Sequence, residues 1–162
     1  MTPGAPRLAA LIVAVDRATT ALDLHAASLV TALPGTDATP SPQDLAYLGV
    51  QVSAWYNALE DFFGRVQLAF GESVGSAHGW HMELLNQMLS PLPHFRPEIL
   101  DGSLRPQLAD VLKFRHFLRH AYAVQLSWDK LQRPVDAAVG AHPVVAMSLA
   151  RFRAHLESSL AS

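Results

Sequence analysis

The sequence predicts an all-α fold, an antiparallel up-and-down bundle of four long helices with one shorter helix added. Three observations point that way. Alanine (25) and leucine (24) dominate the 162 residues while isoleucine occurs twice, a composition that favours helix over strand. Apolar side chains recur at alternating steps of three and four, the repeat of a helix that buries one face. Pro and Gly cluster between several of those runs and punctuate them.

Each element has its own signal. Leu8, Leu11, Val15, Ala18, Leu22 and Leu29 form one stripe, and Pro34, Gly35, Pro40 and Pro42 break the chain after it. Ser41 then offers an N-cap, with Pro42 at the first helical position and Asp44 in the first turn. From there Leu45, Leu48, Val52, Trp55, Leu59, Phe62, Val66 and Ala69 continue a single stripe to a stop at Gly71. A shorter helix is expected over about Trp80–Leu89, burying Leu84, Leu85 and Met88. Ser90 to Leu104 is a long connection containing Pro91, Pro93, Pro97 and Gly102, either a functional loop or a rigid crossover. The fourth helix starts after Ser103, accepts Pro106 in its first turn, and runs to about Val124. Ser127 caps a fifth from Trp128, expected to be interrupted near Gly140 and Pro143 before a last stripe of Val145, Leu149, Phe152, Leu156 and Leu160. No internal repeat or low-complexity tract divides the chain, so residues 1–162 are expected to form one domain.

Composition narrows the chemistry. With no cysteine the chain has no disulfide scaffold, thiolate zinc site, iron–sulfur cluster or thiol nucleophile. The apolar run Leu8–Val15 ends at Asp16 and Arg17, too short to span a bilayer, and a soluble, cytoplasmic protein is expected. A net charge of −2 gives no hint of a nucleic-acid partner, but it is a sum over unlike halves. Residues 1–95 carry three basic and eight acidic side chains; residues 96–162 carry nine and six.

The basic excess concentrates on one helix. Lys113, Arg115 and Arg119 lie there with His116, His120 and Tyr122, and no carboxylate falls between Val111 and Leu126. A cationic final turn complementing the helix dipole explains Lys113 or Arg119. It explains less well two histidines inside an apolar-rich helix. Phosphodiester cleavage uses these residue types directly. Arginine presents a planar fork of donors to the phosphate, and histidine titrates near neutrality, so it can take a proton from a ribose 2′-hydroxyl or return one to the leaving oxygen. The attacking oxygen belongs to the RNA, so neither a metal nor a protein nucleophile is required, and no cofactor is expected.

Arg115, four residues, His120, one residue and Tyr122 make the R-x4-H-x-Y pattern, and the surrounding run through Leu126, Trp128 and Leu131 extends it. In this the chain resembles the HepT-like toxins of the HEPN superfamily of small helical ribonucleases, in detail over residues 96–157. The resemblance implies an HEPN-like bundle and a metal-independent endoribonuclease toxin working as a homodimer, with two motif copies facing each other across a cleft. It implies Arg115 and His120 as the catalytic pair, with His116, Arg119 and Lys113 supporting RNA-phosphate contact. It further implies a minimal nucleotidyltransferase antitoxin as partner, which adenylylates the motif tyrosine, here Tyr122, and so blocks the phosphate site. Many relatives carry a polar residue, often asparagine, after the arginine, where this chain has His116. On an ideal helix Arg115 and His120 also project about 140° apart, so they converge only if the helix loosens near His120 or a partner subunit completes the site.

Two other readings compete. His116 and His120 at i,i+4, with His78 and His81 at i,i+3, suggest a metal-dependent bundle of the DinB type, though neither pair has a carboxylate at ligand spacing. A non-catalytic HEPN-like partner of a nucleotidyltransferase would keep the fold and the basic patch without cleaving RNA. His25, His94, His142 and His155 are expected at the surface or hydrogen-bonded. Glu60 and Asp61 beside Arg65 are expected as a solvated helix pair. Trp55, Tyr56 and Trp80 are expected in the core or an interface.

Overall fold

A computed structural model describes residues 3–120 and 125–162, and among these it contains five α-helices and no strand. They are α1 (Ala5–Ala32), α2 (Pro42–Phe70), α3 (Trp80–Met88), α4 (Arg105–His120) and α5 (Trp128–Leu160), with a 3-10 turn at Gly102–Leu104. α1 packs on α2 and α5, and α4 packs on α5 and α2, so four long helices surround one core while α3 bridges α2 and α4 at one end. The predicted stripes are the buried faces: every stripe residue expected on α1, α2 and α3 is buried, as are Val145, Leu149, Phe152 and Leu156 of α5. Leu160, the last helical residue of α5, is exposed. Trp55, Tyr56, Phe62, Phe63 and Phe152 fill the centre.

The start of α2 follows the sequence signal closely. Ser41 Oγ accepts from the Asp44 backbone N–H at 3.1 Å, and Asp44 Oδ2 accepts from the Ser41 N–H at 2.9 Å. These reciprocal bonds satisfy donors that would otherwise be orphaned at the helix start. Gly71 ends the helix in the left-handed conformation, φ 69°, which a residue without Cβ adopts at little cost.

One expectation changes. α5 is not interrupted near Gly140 and Pro143 but runs as one helix through both Pro134 and Pro143. Pro143 lies on the exposed face, where water can satisfy the carbonyl it frees, and the apolar stripe on the opposite face holds the helix against α1 and α4. α4 starts at Arg105, after Ser103 as expected, and Asp101 caps the 3-10 turn before it, its Oδ1 accepting from the Ser103 N–H at 2.9 Å. The expected continuation of α4 to Val124 lies outside the described residues.

The long connection before α4 is a built crossover. Ile99 and Leu100 are fully buried, and their N–H groups donate to the Met88 carbonyl at 2.9 and 3.2 Å. Arg96 clamps the segment with all five of its donors. Nε and Nη2 form a fork on Glu72 at 2.7 and 2.6 Å, and the remaining hydrogens reach the carbonyls of Ser90, Pro97 and Gln87. That network ties the end of α3 and the start of the crossover to Glu72, just past the end of α2.

Candidate functional site

A cavity of about 500 Å³ lies between the α4 residues Leu112–His120 and the segment Ser76–Met82 that leads into α3. Gly79, at φ 94°, makes the turn that starts α3. The residues on either side of it, His78 and His81, face the same cavity as His116 and His120. Lys113, Arg115 and Arg119 complete the basic lining. The sequence-predicted residues therefore meet in one place, except Tyr122, which lies outside the described residues.

They do not sit alike. His116, Arg119, His120 and Lys113 are exposed at the rim, whereas Arg115 is 2 % exposed and forms the floor. Its helix position explains this, because Leu108, Val111, Leu112 and Arg115 follow one apolar stripe into the bundle. A buried guanidinium needs a buried counter-charge. Glu60 supplies it from α2: Nη1 donates to Oε1 at 3.0 Å and Nη2 to Oε2 at 2.9 Å, while Nη1 also donates to Asn57 Oδ1 at 2.9 Å. The guanidinium carbon stands 5.0 Å from the centre of the Tyr56 ring, within cation–π range. Arg115 Nε is buried and has no hydrogen-bond partner, in contrast to the fully satisfied Arg96. Glu60 thus belongs to a buried pair, while Asp61 and Arg65, the residues at i,i+4 spacing, stay exposed.

His81 joins this network. Its Nδ1 lies 2.7 Å from Glu60 Oε2 and 2.9 Å from Arg115 Nη2, and its ring stacks on Trp80 with centroids 3.5 Å apart. A guanidinium nitrogen can only donate and a carboxylate can only accept, and Nη2 already has Glu60 as acceptor; a proton on Nδ1 therefore points at Glu60 Oε2. His120 is similarly held: Nδ1–H donates to the His116 carbonyl at 2.8 Å. Both rings then keep Nε2 as the unshared nitrogen. The His116 ring sits 4.4 Å from His120 and 6.5 Å from His78. Desolvation, followed by the fields of His120, His78, His81 and Arg115, lowers the His116 pKa below its ordinary value. Burial pushes the Tyr56 phenol up, Glu60 adds to the rise, and Arg115 opposes it.

Four histidines share this cavity, as the metal-bundle reading requires of its ligands. Among the described residues, however, no three of His, Cys, Asp or Glu are arranged to hold a metal ion. The other histidines do structural work where a partner is seen. His25 Nδ1 is 2.8 Å from Gln51 Oε1. His142 Nδ1 accepts from Trp55 Nε1–H at 3.2 Å, and its Nε2–H donates to Asp23 at 2.9 Å, tying α2, α5 and α1 together.

Comparison with protein families matches residues 48–156 to the model described as HepT-like protein. The chain belongs to the HepT-like family. The match runs from the middle of the first turns of α2 to near the end of α5 and so contains Glu60, His81 and the whole of α4. As a HepT-like protein the chain falls within the HEPN superfamily, a ribonuclease-type grouping of helical bundles, and the observed fold agrees. No curated protein and no solved structure matches it. No helix among the described residues is long and apolar enough to cross a membrane.

Sequence reasoning placed the motif residues on one helix but missed what holds them. Asn57, Glu60 and His81 come from other elements. One signal was available: Arg115 continues the stripe of Leu108, Val111 and Leu112, which implies burial and therefore a carboxylate partner.

Proposed function

We propose that this HepT-like chain is the toxin component of a toxin–antitoxin pair, a metal-independent endoribonuclease that works as a homodimer. The observation that carries the reading is the cavity itself. It sets His120, with Nδ1 tied to a carbonyl and Nε2 unshared, beside the exposed cations Lys113 and Arg119. In this reading the cations hold the phosphate of an RNA strand. His120 Nε2 removes the proton from the ribose 2′-hydroxyl, whose oxygen attacks phosphorus. The P–O5′ bond breaks, leaving a 2′,3′-cyclic phosphate, and the departing 5′-oxygen takes up one proton to become a hydroxyl. Arg115 and His120 remain the proposed catalytic pair, Arg115 lending a fixed positive charge from the floor. His116 supports the rim as a hydrogen-bond donor. A second copy bringing its own basic helix to the cleft doubles the positive charge facing the phosphate.

A minimal nucleotidyltransferase is the proposed antitoxin, transferring adenylyl groups to Tyr122. Each added nucleotide brings a phosphate that competes with RNA for Lys113 and Arg119. The test is cleavage of RNA in EDTA by unmodified protein, with loss of activity in His120→Ala while the helical signal is kept. Undiminished cleavage by His120→Ala refutes the site assignment, and cleavage that requires added Zn²⁺ or Mn²⁺ favours the metal-dependent reading.

One observation favours a second reading. Both Nη atoms of Arg115 are engaged by Glu60 and Asn57, so a phosphate reaches that fork only if Glu60 yields. A chain that binds the nucleotidyltransferase but does not cleave RNA when unmodified matches a non-catalytic partner instead.

A further inference from the structure

We propose that His81, oriented by Glu60, is a second acid–base residue of the cavity and protonates the leaving 5′-oxygen; this rests on the ribonuclease reading above. Cleavage by 2′-oxygen attack moves two protons, one off the nucleophile and one onto the leaving group. The motif helix provides His120 for one of them. Across the same cavity His81 has the attributes of the other. Its Nδ1 is fixed 2.7 Å from a carboxylate oxygen, its ring is held by stacking on Trp80, and its side chain is 24 % exposed on the cavity wall. A carboxylate behind an imidazole fixes its tautomer and orientation.

The surroundings of the two rings differ. Glu60 faces His81, with Arg115 beside both. The His116 ring stands 4.4 Å from His120, Arg119 and Lys113 line the same cavity, and among the described residues no carboxylate pairs with His120. His81, with Nδ1 on a carboxylate, and His120, with Nδ1 on a backbone carbonyl, present Nε2 from opposite walls of one cavity, so one can take the 2′-hydroxyl proton while the other serves the leaving oxygen. In the proposed division His81 gives its Nε2 proton to the departing oxygen, and the neutral ring regains it from water after product leaves. Glu60 acts through His81 and Arg115 as a positioning residue. This also gives the Glu60–Arg115 pair a role besides filling the floor: it holds the carboxylate in the orientation His81 needs.

Two substrates separate these roles. An RNA oligonucleotide needs its leaving oxygen protonated; a uridine 3′-(4-nitrophenyl phosphate) does not, because nitrophenolate leaves unassisted. His81→Ala and His81→Gln are expected to lose about 10²- to 10⁴-fold on RNA yet stay within about tenfold of the unmodified chain on the aryl ester. Retained ester cleavage also certifies folding. His120→Ala is expected to lose both activities. Undiminished RNA cleavage by the His81 variants, or equal loss on both substrates, overturns the acid role while leaving the ribonuclease reading standing. Failure of the unmodified chain to cleave either substrate overturns both. Nitrogen-15 NMR of the imidazoles gives a readout independent of activity. A proton on His81 Nδ1 that Glu60→Gln removes or redistributes supports the arrangement, and an unprotonated Nδ1 in the unmodified chain overturns it.

Discussion

Replacing Arg115 tests the floor of the cavity, and the structure sets the expected size of the effect. The Arg115 side chain is 2 % exposed and that of Glu60 14 %, so water screens only one edge of the pair. Two unit charges about 4 Å apart at an effective dielectric near 20 attract by about 4 kcal/mol. Removing one partner of a buried pair costs about 3–5 kcal/mol, because the other is left charged without compensation. Arg115→Met keeps most of the stem volume above Tyr56 and isolates the charge term, and it is expected to fall in that range. Glu60→Gln is expected near the lower end, since Asn57 and the new amide still accept from the guanidinium. The double variant removes both charges and is expected to recover about 2 kcal/mol of the summed losses. The assay is urea unfolding at fixed protein concentration, where a slope of about 1–3 kcal/mol/M makes such losses plain shifts in midpoint. Single losses below about 1 kcal/mol with additive behaviour in the double variant would falsify the buried-pair account. If the losses are as large as expected, inactivity of Arg115→Ala is no evidence for catalysis unless folding is checked in the same sample.

Three further outcomes are expected. Arg96→Ala strands Glu72 and frees three carbonyls, so it should cost about 3–5 kcal/mol and expose residues 90–104 to limited proteolysis; an unchanged digestion pattern would contradict the clamp. His142→Ala leaves the fully buried Trp55 indole N–H without its acceptor and should cost about 1–3 kcal/mol in urea unfolding, whereas Asp23→Asn, at a 60 % exposed carboxylate, should cost less. The folded His116 pKa lies below the ordinary 6.5, so just below that pH the unfolded chain binds more protons. Its contribution to stability is therefore full above the unfolded pKa and declines as pH falls toward the folded one. A histidine titration by NMR should give His116 a midpoint below 6.5, and a midpoint above it contradicts the packing of four imidazoles around one cavity.

The bundle was legible because its information is local and repeated. A stripe such as Leu45 to Ala69 states the helix, its length and its buried face, and Ser41, Asp44 and Gly71 mark its ends. Pro143 was misread because a proline signal is local too, while what carries α5 past it is an apolar stripe packed on two other helices. The site divides along the same line. Arg115, His116, Arg119 and His120 could be grouped from spacing along one helix. Their partners could not: Glu60 and His81 stand 55 and 34 residues from Arg115, and only the packing of α2, α3 and α4 brings them within 3 Å of it.

That packing also bears on the geometry of the motif. Arg115 and His120 were expected to converge only if the helix loosened or a partner completed the site. The two residues line one cavity while α4 stays helical to His120, and the segment before α3 supplies a second wall. They face the cavity from different depths, one as a buried charge held by Glu60 and the other as an exposed imidazole at the rim. In the proposed reaction a phosphate at the rim would meet Lys113, Arg119 and His120 first, and feel Arg115 through a field that Glu60 offsets. Glu60 is then the residue whose removal should change the character of the site most. Without it, the Arg115 fork is free to turn toward the cavity, and His81 loses the group that fixes its proton.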